Sequence, residues 1–278
     1  MVGEFPPKKS LQVTLERMVQ ESDYFEMNRA GWDERAEAHF DSKFYDLPGF
    51  LAGATSLREI ELAELGDVTG KSLLHLQCHF GMDTLSWARM GAACTGVDIS
   101  PVAIHKAREL AQELNLNAEF VCTDVYSFQR SSSALFDIVF TSYGAICWLP
   151  DLTRWAQVVA ANLAAGGRFY IVDFHSIYDL LAGYSYFTQE QPDVDEEGTY
   201  TENGADVTAK LAMWAHPMSS VINALINVGI EIERVSEFPF SPYNCFEGMV
   251  EREPGRFYLS HKGNDVPLVY SITGRKVA

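Results

Sequence analysis

The run from Ser72 to Ser100, SLLHLQCHFGMDTLSWARMGAACTGVDIS, constrains this chain most. The apolar stretch LLHLQ has the length of a buried strand, Gly81 marks a tight loop, and MDTLSWARM places Leu85, Ala88 and Arg89 at helical spacing before Gly91 stops it. A second apolar strand follows and closes on an acid, Asp98. Strand, glycine turn, helix and strand ending on a carboxylate make half of a nucleotide-binding α/β unit. In such a unit the helix N-terminus faces an anionic group, and an acid at the tip of the second strand can accept both hydroxyls of a ribose. The expected ligand is an adenosyl compound.

The same alternation continues downstream. Ser100 and Pro101 supply an N-cap and a first-turn proline for VAIHKARELAQEL, and the strand AEFVCTD spans Ala118 to Asp124. After the polar loop QRSSS come strand FDIVFTSY (Phe136 to Tyr143), helix LTRWAQVVAANL, the link AAGG and strand RFYIVDFH. Each strand is a nearly continuous apolar run, as expected of parallel strands covered on both faces. Beyond His175 the regularity breaks, and Gln189 to Asp206 carries seven acids and no base. Helix SSVINALINVG, strand IEIERVSEF and the terminal strand VPLVYSITGRKV then resume it; a loop rather than a helix leads into the last strand, which predicts an antiparallel partner.

Upstream, two helices are expected between Ser10 and Asp41, the second carrying Trp32, Arg35, Ala36 and Phe40. A Pro/Gly linker runs from Asp46 to Ala54. Ser56 and Glu59 form a capping-box pattern opening helix LREIELAEL, which stops at Gly66. The reading is an α/β fold: a doubly wound, seven-stranded, mostly parallel sheet with an antiparallel last strand. A helical cap occupies residues 1–54, and the main domain, 55–278, carries an inserted lid at about 177–216.

A formal net charge of −17 and the lack of a basic stripe argue against a nucleic-acid partner. No run approaches the ~18 apolar residues of a membrane span, and MVGEFPPKKS has no apolar targeting core. A cytoplasmic protein with no membrane partner is the expectation. The five cysteines, Cys78, Cys94, Cys122, Cys147 and Cys245, lack CxxC spacing and read as reduced core thiols, with no metal site.

Seven strands with the last reversed, and acids ending the second and third, resemble the class I, Rossmann-like S-adenosylmethionine (SAM)-dependent methyltransferases. The resemblance is strong from Leu57 to about His175 and topological thereafter. It implies SAM as cofactor and S-adenosylhomocysteine as its product. It also implies Gly81 at the close-approach turn, Asp98 on the ribose, Asp124 at the adenine amino group, and Ile99 and Val125 against the adenine faces. Asp98 could instead cap a helix, but Ser100 already fills that place; for Asp124 the alternative is a turn-forming acid.

The glycine loop departs from the family. Where the family has an acid and three alternating glycines, this chain has His75, Gln77, His79 and Gly81. SAM carries no phosphate, so one glycine can serve the turn. Gln77 and His79 would then border the methionine end, and His75, in mid-strand, reads as a neutral core histidine bonded to a loop carbonyl. A helix N-terminus supplies only about half a charge, so the SAM carboxylate calls for a cation. Arg58 sits where quinone-type O-methyltransferases, which this segment resembles, carry an arginine to the cofactor; the alternative is a surface pair with Glu61. Trp32 and Arg35 resemble a cap folded over SAM, or a helix packed on the core.

Ser142 and Tyr143, past the fourth strand, point to the cofactor's reactive end, with Trp148 nearby. The fifth strand brings Asp173 or His175 to the same mouth. Tyr178, Tyr184, Phe187, Tyr200, Trp214 and His216 in and around the insertion suggest an aromatic pocket or an aromatic core, and the acids between them a solvated surface. The activity implied is in-line methyl transfer to a small, apolar or aromatic acceptor, with Trp148, Tyr184, Trp214 and His216 lining its place. His175, as an imidazole at the mouth, is the leading base; Tyr143 and His216 are in reserve. Two other classes stay open: a SAM-binding protein without catalysis, in keeping with the eroded glycine loop, and an NAD-dependent oxidoreductase, for which CHFGMD lacks the GxGxxG that admits a pyrophosphate.

Overall fold

A computed structural model describes residues 8–129, 134–204 and 207–277. Residues 130–133 of the QRSSS loop, and Asp206 at the end of the acidic segment, lie outside the described residues. The chain opens with α1 (Lys8–Phe40), α2 (Leu47–Leu51) and α3 (Glu59–Leu65). The alternating core follows: β1 (Ser72–Leu76), α4 (Met82–Arg89), β2 (Ala93–Asp98), α5 (Pro101–Glu113), β3 (Ala118–Cys122), β4 (Phe136–Ser142), α6 (Leu152–Asn162) and β5 (Leu163–Phe174). Then come α7 (Ile177–Ala182), the hairpin β6 (Asp193–Glu197) to β7 (Ala209–Met213), α8 (Met218–Asn227) and β8 (Ile230–Phe238). Two small hairpins, β9 (Val250–Glu253) with β10 (Arg256–Tyr258) and β11 (Ser260–His261) with β12 (Asn264–Asp265), precede β13 (Val269–Lys276).

The main sheet has the order β3-β2-β1-β4-β5-β13-β8. Strands β1 to β5 pair in parallel, and β13 runs antiparallel to both β5 and β8. The continuous apolar runs are explained by burial on both faces: Leu73, Leu74, Leu76, Val139 and Phe140 are all fully buried, β1 and β4 lying at the centre of the sheet. Ser100 Oγ accepts the Ala103 N–H at 3.0 Å and Pro101 starts α5, as the sequence indicates.

The upstream segment differs from its sequence reading. Helix α1 is one continuous element, not two. Its interior Gly31 costs helix propensity, but a Cβ there would stand 2.7 Å from the Leu211 side chain, so glycine lets β7 lie against the helix. Asn28 completes that contact, donating to the Ala212 carbonyl at 2.9 Å and accepting the Ala212 N–H at 2.8 Å. The Asp46–Ala54 linker contains α2, capped by Asp46. The capping box of α3 lies two residues later than read: Arg58 is the N-cap and the Glu61 carboxylate accepts its N–H at 2.5 Å, while Ser56 Oγ donates to Asp83 at 2.6 Å. All five cysteines are free, but only Cys78 and Cys94 are buried and Cys122 is exposed, which corrects its reading as a core thiol.

Candidate active site

Helix α1 and the β6–β7 hairpin form a layer over the carboxyl ends of the parallel strands and enclose a cavity of 1140 Å³. Single ligand pockets typically measure ~300–1,000 Å³, so there is room for two ligands. Every residue expected at the site lines this cavity: Trp32, Arg58, Gln77, His79, Gly81, Asp98, Ile99, Asp124, Val125, Ser142, Tyr143, Trp148, His175, Tyr184, Trp214 and His216.

At one end Asp98 accepts the His79 N–H at 2.8 Å and the Ser100 N–H at 2.9 Å, which fixes its carboxylate at the tip of β2. Burial raises its pKa to about 6 despite these bonds. Asp124 caps the short turn Val125–Ser127 by accepting the Ser127 N–H through one oxygen, so it is a turn residue and a cavity residue at once. Helix α1 is fastened beside this end by Asp33, which accepts from Ser100 Oγ at 2.5 Å.

The loop after β1 keeps a glycine-type backbone without the glycines. Gln77, His79 and Gly81 have φ of 58°, 52° and 79°, the left-handed region that non-glycine residues seldom occupy. At Gly81 the need is also steric, since a Cβ would meet the Phe120 ring at 2.6 Å. At the other two positions the strain, of order ~1–3 kcal/mol each, is offset by side-chain contacts. Gln77 Nε2 donates to the Ala145 carbonyl at 2.6 Å, and its Oε1 is buried with no partner. His79 Nε2 lies 3.0 Å from His39 Nδ1, and His39 Nε2 meets Thr199 Oγ1 of the hairpin. Burial holds both imidazoles neutral, His39 down to about 3 and His79 well below its usual value. Trp32 stacks edge-on against His79 and Trp148, each at 5.3 Å, with the Arg35 guanidinium over its ring.

Between the two ends, Arg58 packs over the Tyr243 ring at 4.5 Å, and no surface pair with Glu61 forms. Glu61 is itself fully buried. Asp83 accepts from Ser56 and, at 3.3 Å, from Ser142 Oγ, and burial raises its pKa. Ser142 Oγ also meets His75 Nε2 at 3.2 Å, and His75 Nδ1 meets Thr84 Oγ1 at 2.8 Å. His75 is thus a neutral core histidine held by two hydroxyls, not by a loop carbonyl, and burial lowers its pKa to about 3.

The far end is aromatic. Tyr143 and Phe174, with Tyr178, Tyr243 and Phe246, form a connected set in which Tyr178 and Phe246 stack at 3.9 Å. Trp148, Tyr184, Tyr200 and Trp214 complete the walls, whereas Phe187 lies outside them, 69% exposed. Asp173 is a strap: it accepts backbone N–H groups of Gly144, Ile146 and Phe174, and burial raises its pKa to about 6.

His175, expected as the base, lines the cavity with both ring nitrogens engaged. Its Nδ1 accepts the Ile177 N–H at 3.1 Å, so Nε2 carries the proton and donates to Glu237 at 3.0 Å. Neither ring nitrogen keeps a lone pair for a substrate proton. His216 donates through Nε2 to the Leu149 carbonyl at 2.8 Å, leaving Nδ1 buried and without a partner. Sequence reasoning missed Phe44, Tyr45, Asp83, Tyr243 and Phe246 as cavity residues, and His39 as the partner of His79. Tyr45, Phe44 and Tyr243 reach it only through packing between segments some 200 residues apart, which leaves no local signal.

The profile of the family described as methyltransferase domain matches residues 73–167. A ubiquinone biosynthesis O-methyltransferase of Xanthomonas euvesicatoria pv. vesicatoria is 24% identical over 181 residues, covering 64% of this chain and 70% of the relative. One from Coxiella burnetii is 31% identical over 101 residues, 36% of this chain and 42% of the relative. Among solved structures, a SAM-dependent methyltransferase from Mesorhizobium loti superposes with a TM-score of 0.55 at 20% identity, over 81% of this chain and 100% of that one. A geranyl diphosphate C-methyltransferase from Streptomyces coelicolor gives 0.53 at 12% identity, over 79% and 78%. The structural likenesses carry the fold, and the matched profile spans β1 to the start of β5, the stretch that holds the loop after β1, Asp98 and Asp124. Residues 73–167 thus match the methyltransferase-domain family, and the chain has the class I, Rossmann-like fold of SAM-dependent methyltransferases.

Proposed function

We propose that this protein transfers the SAM methyl group to a small, largely apolar or aromatic acceptor by in-line displacement. The observation that carries the reading is one cavity with two chemically different ends, strand-tip acids at one and aromatic walls at the other. In this reading Asp98 holds the ribose hydroxyls, Asp124 the adenine amino group, and Ile99 and Val125 the adenine faces. Gly81 lets the backbone come close. Arg58 takes the methionine carboxylate, while Ser142, Gln77 Oε1 and Asp83 accept from the ammonium. Trp32 and His79 close over the cofactor.

SAM bound there supplies a methyl group already activated on a sulfonium. The protein's part is alignment and exclusion of water. Residues 1–54 act as a cap and the segment 177–216 as a lid; Asn28 and Arg35, which bond to Ala212 and Gly198 of the hairpin, tie the two into one unit. The acceptor chamber is walled by Trp148, Tyr184 and Trp214, with His216 at its margin and Tyr143 facing the reactive end. Aromatic walls favour a flat acceptor, and the relatives' name, O-methyltransferase of ubiquinone biosynthesis, favours a ring hydroxyl as nucleophile. No helix among the described residues is long and apolar enough to cross a membrane. Five free thiols accord with a reducing, cytoplasmic setting.

Calorimetric titration with SAM, S-adenosylhomocysteine and NAD tests the reading. Saturable binding of the first two and none of NAD is expected. NAD binding without SAM binding would refute it.

A further inference from the structure

In-line transfer to a hydroxyl needs somewhere for the hydroxyl proton to go, and the cavity's histidines do not provide it. His175 is engaged at both nitrogens, His75 is held between two hydroxyls, and His79 is bonded to His39 through Nε2 with its basicity lowered by burial. His216 keeps a lone pair at Nδ1, but Nε2 ties it to the Leu149 carbonyl and burial lowers its basicity.

Tyr143 stands differently. Its ring lines the cavity between Phe174 and Tyr243, and its hydroxyl donates to Glu61 Oε2 at 2.8 Å. With its own proton directed at Glu61, the Tyr143 oxygen offers the cavity only lone pairs. Glu61 does not line the cavity; it lies behind Tyr143, fully buried, its other oxygen bound to the Arg58 N–H.

We propose that Tyr143 and Glu61 form the proton route of the reaction: Tyr143 takes the acceptor's hydroxyl proton while passing its own to the Glu61 carboxylate. This rests on the methyl-transfer reading and adds the fate of the proton. The acceptor O–H breaks and the proton joins Tyr143 Oη, as the Tyr143 proton joins Glu61 Oε2. The freed oxygen pair forms the bond to the methyl carbon, and the carbon–sulfur pair remains on sulfur as S-adenosylhomocysteine leaves. A buried cation and a buried carboxylate are both neutralised, and Glu61 returns its proton to solvent after product release. Tyr143 is the catalytic residue, and Glu61 acts through it.

The electrostatics suit the task. An ordinary carboxylate is too weak a base for this step, but burial and the neighbouring Asp83 raise Glu61 to about 8. The groups facing it are Arg58 at its own N-cap, Asp83 of α4, Tyr143 beyond β4, Tyr170 of β5 and Tyr243 of the loop after β8. Of these only Arg58 is cationic, and it is drawn toward Tyr243.

The test measures methyl transfer from SAM to catechol between roughly pH 6 and roughly pH 10, with SAM affinity followed by calorimetry. Glu61→Gln, Tyr143→Phe and the double variant are compared with the parent protein. Each single variant should lower kcat by about 10² to 10³ with SAM affinity within about threefold, the double variant should lose no more, and the parent's rise in rate toward pH 8 should vanish in Glu61→Gln. A Glu61→Gln enzyme that keeps both its rate and its pH profile overturns the proposal; if that variant does not fold, an unchanged Tyr143→Phe enzyme does so alone. If the parent binds SAM but methylates no catechol, the acceptor reading fails by itself. Carbon-13 NMR of the Glu61 carboxyl in the S-adenosylhomocysteine complex then decides the route. Titration near pH 8 that shifts in Tyr143→Phe supports it, and a carboxyl silent across the range overturns it.

Discussion

Replacing Asp98 by asparagine probes the cofactor site most cleanly, because size is kept while charge and one acceptor are lost. The carboxylate takes the His79 and Ser100 N–H groups, one on each oxygen. An amide can satisfy only one of them and sets its own NH₂ against the other. Toward the ribose, hydrogen bonds to a charged acceptor contribute about 1.5 to 3 kcal/mol, so SAM affinity should fall roughly ten- to a hundredfold. Orphaning one buried N–H should cost about 1 to 3 kcal/mol of stability, a few degrees of Tm for each kcal/mol in a chain of this size. Adenosine, which shares the ribose, should lose the same factor as SAM. Because burial raises the carboxyl to about 6, SAM affinity of the parent protein should also weaken as pH falls through about 6, and this limb should be absent in the variant. Calorimetry with both ligands reads all of this. SAM affinity within twofold of the parent would show that Asp98 serves only the two backbone groups.

Arg58→Ala should weaken SAM at least tenfold and leave adenosine nearly unaffected, by the same calorimetry; equal losses would place Arg58 away from the methionine end. His175→Ala should lower turnover by less than about tenfold, short of the 10² to 10⁴ typical of a lost base, while reducing Tm through the broken tie to Glu237; a larger kinetic loss would restore His175 as the base. On the upper limb of the pH profile, apo stability followed by thermal denaturation should fall, because Glu61, raised to about 8, contributes stability that is present when protonated and lost as pH rises through that value, about 2 kcal/mol between pH 6.5 and 8. Glu61→Gln should flatten the upper limb, and an unchanged limb would count against that raised value.

The sheet was legible because β1, β2, β4 and β5 are apolar on both faces, because Asp98 closes β2 and because Asp124 follows β3 by two residues, signals that are local in sequence. The reversal of β13 was legible in the loop that leads into it. What escaped reading lies in contacts between distant segments. Gly31 looks like a weak point in a helix until β7 packs on it, and Ser56 looks like a cap until Asp83 claims its hydroxyl. Gln77 and His79 read as an eroded glycine motif, yet both keep the left-handed backbone of the residues they replace. Glu61 offered only a surface pair with Arg58, since nothing local announces that Tyr143, 82 residues away, will bond to it. The aromatic chamber was partly visible in the insertion, but its walls at Tyr243 and Phe246 come from the stretch between β8 and β9.

A crystal structure of the protein with S-adenosylhomocysteine would read every proposed cofactor contact at once. The ribose hydroxyls should lie within hydrogen-bond distance of Asp98, the adenine between Ile99 and Val125 with its amino group at Asp124, and the carboxylate at Arg58. The sulfur should face the chamber of Tyr143, Trp148 and Trp214. A nucleoside bound elsewhere, or a sulfur directed away from Tyr143 and the aromatic walls, would contradict the account.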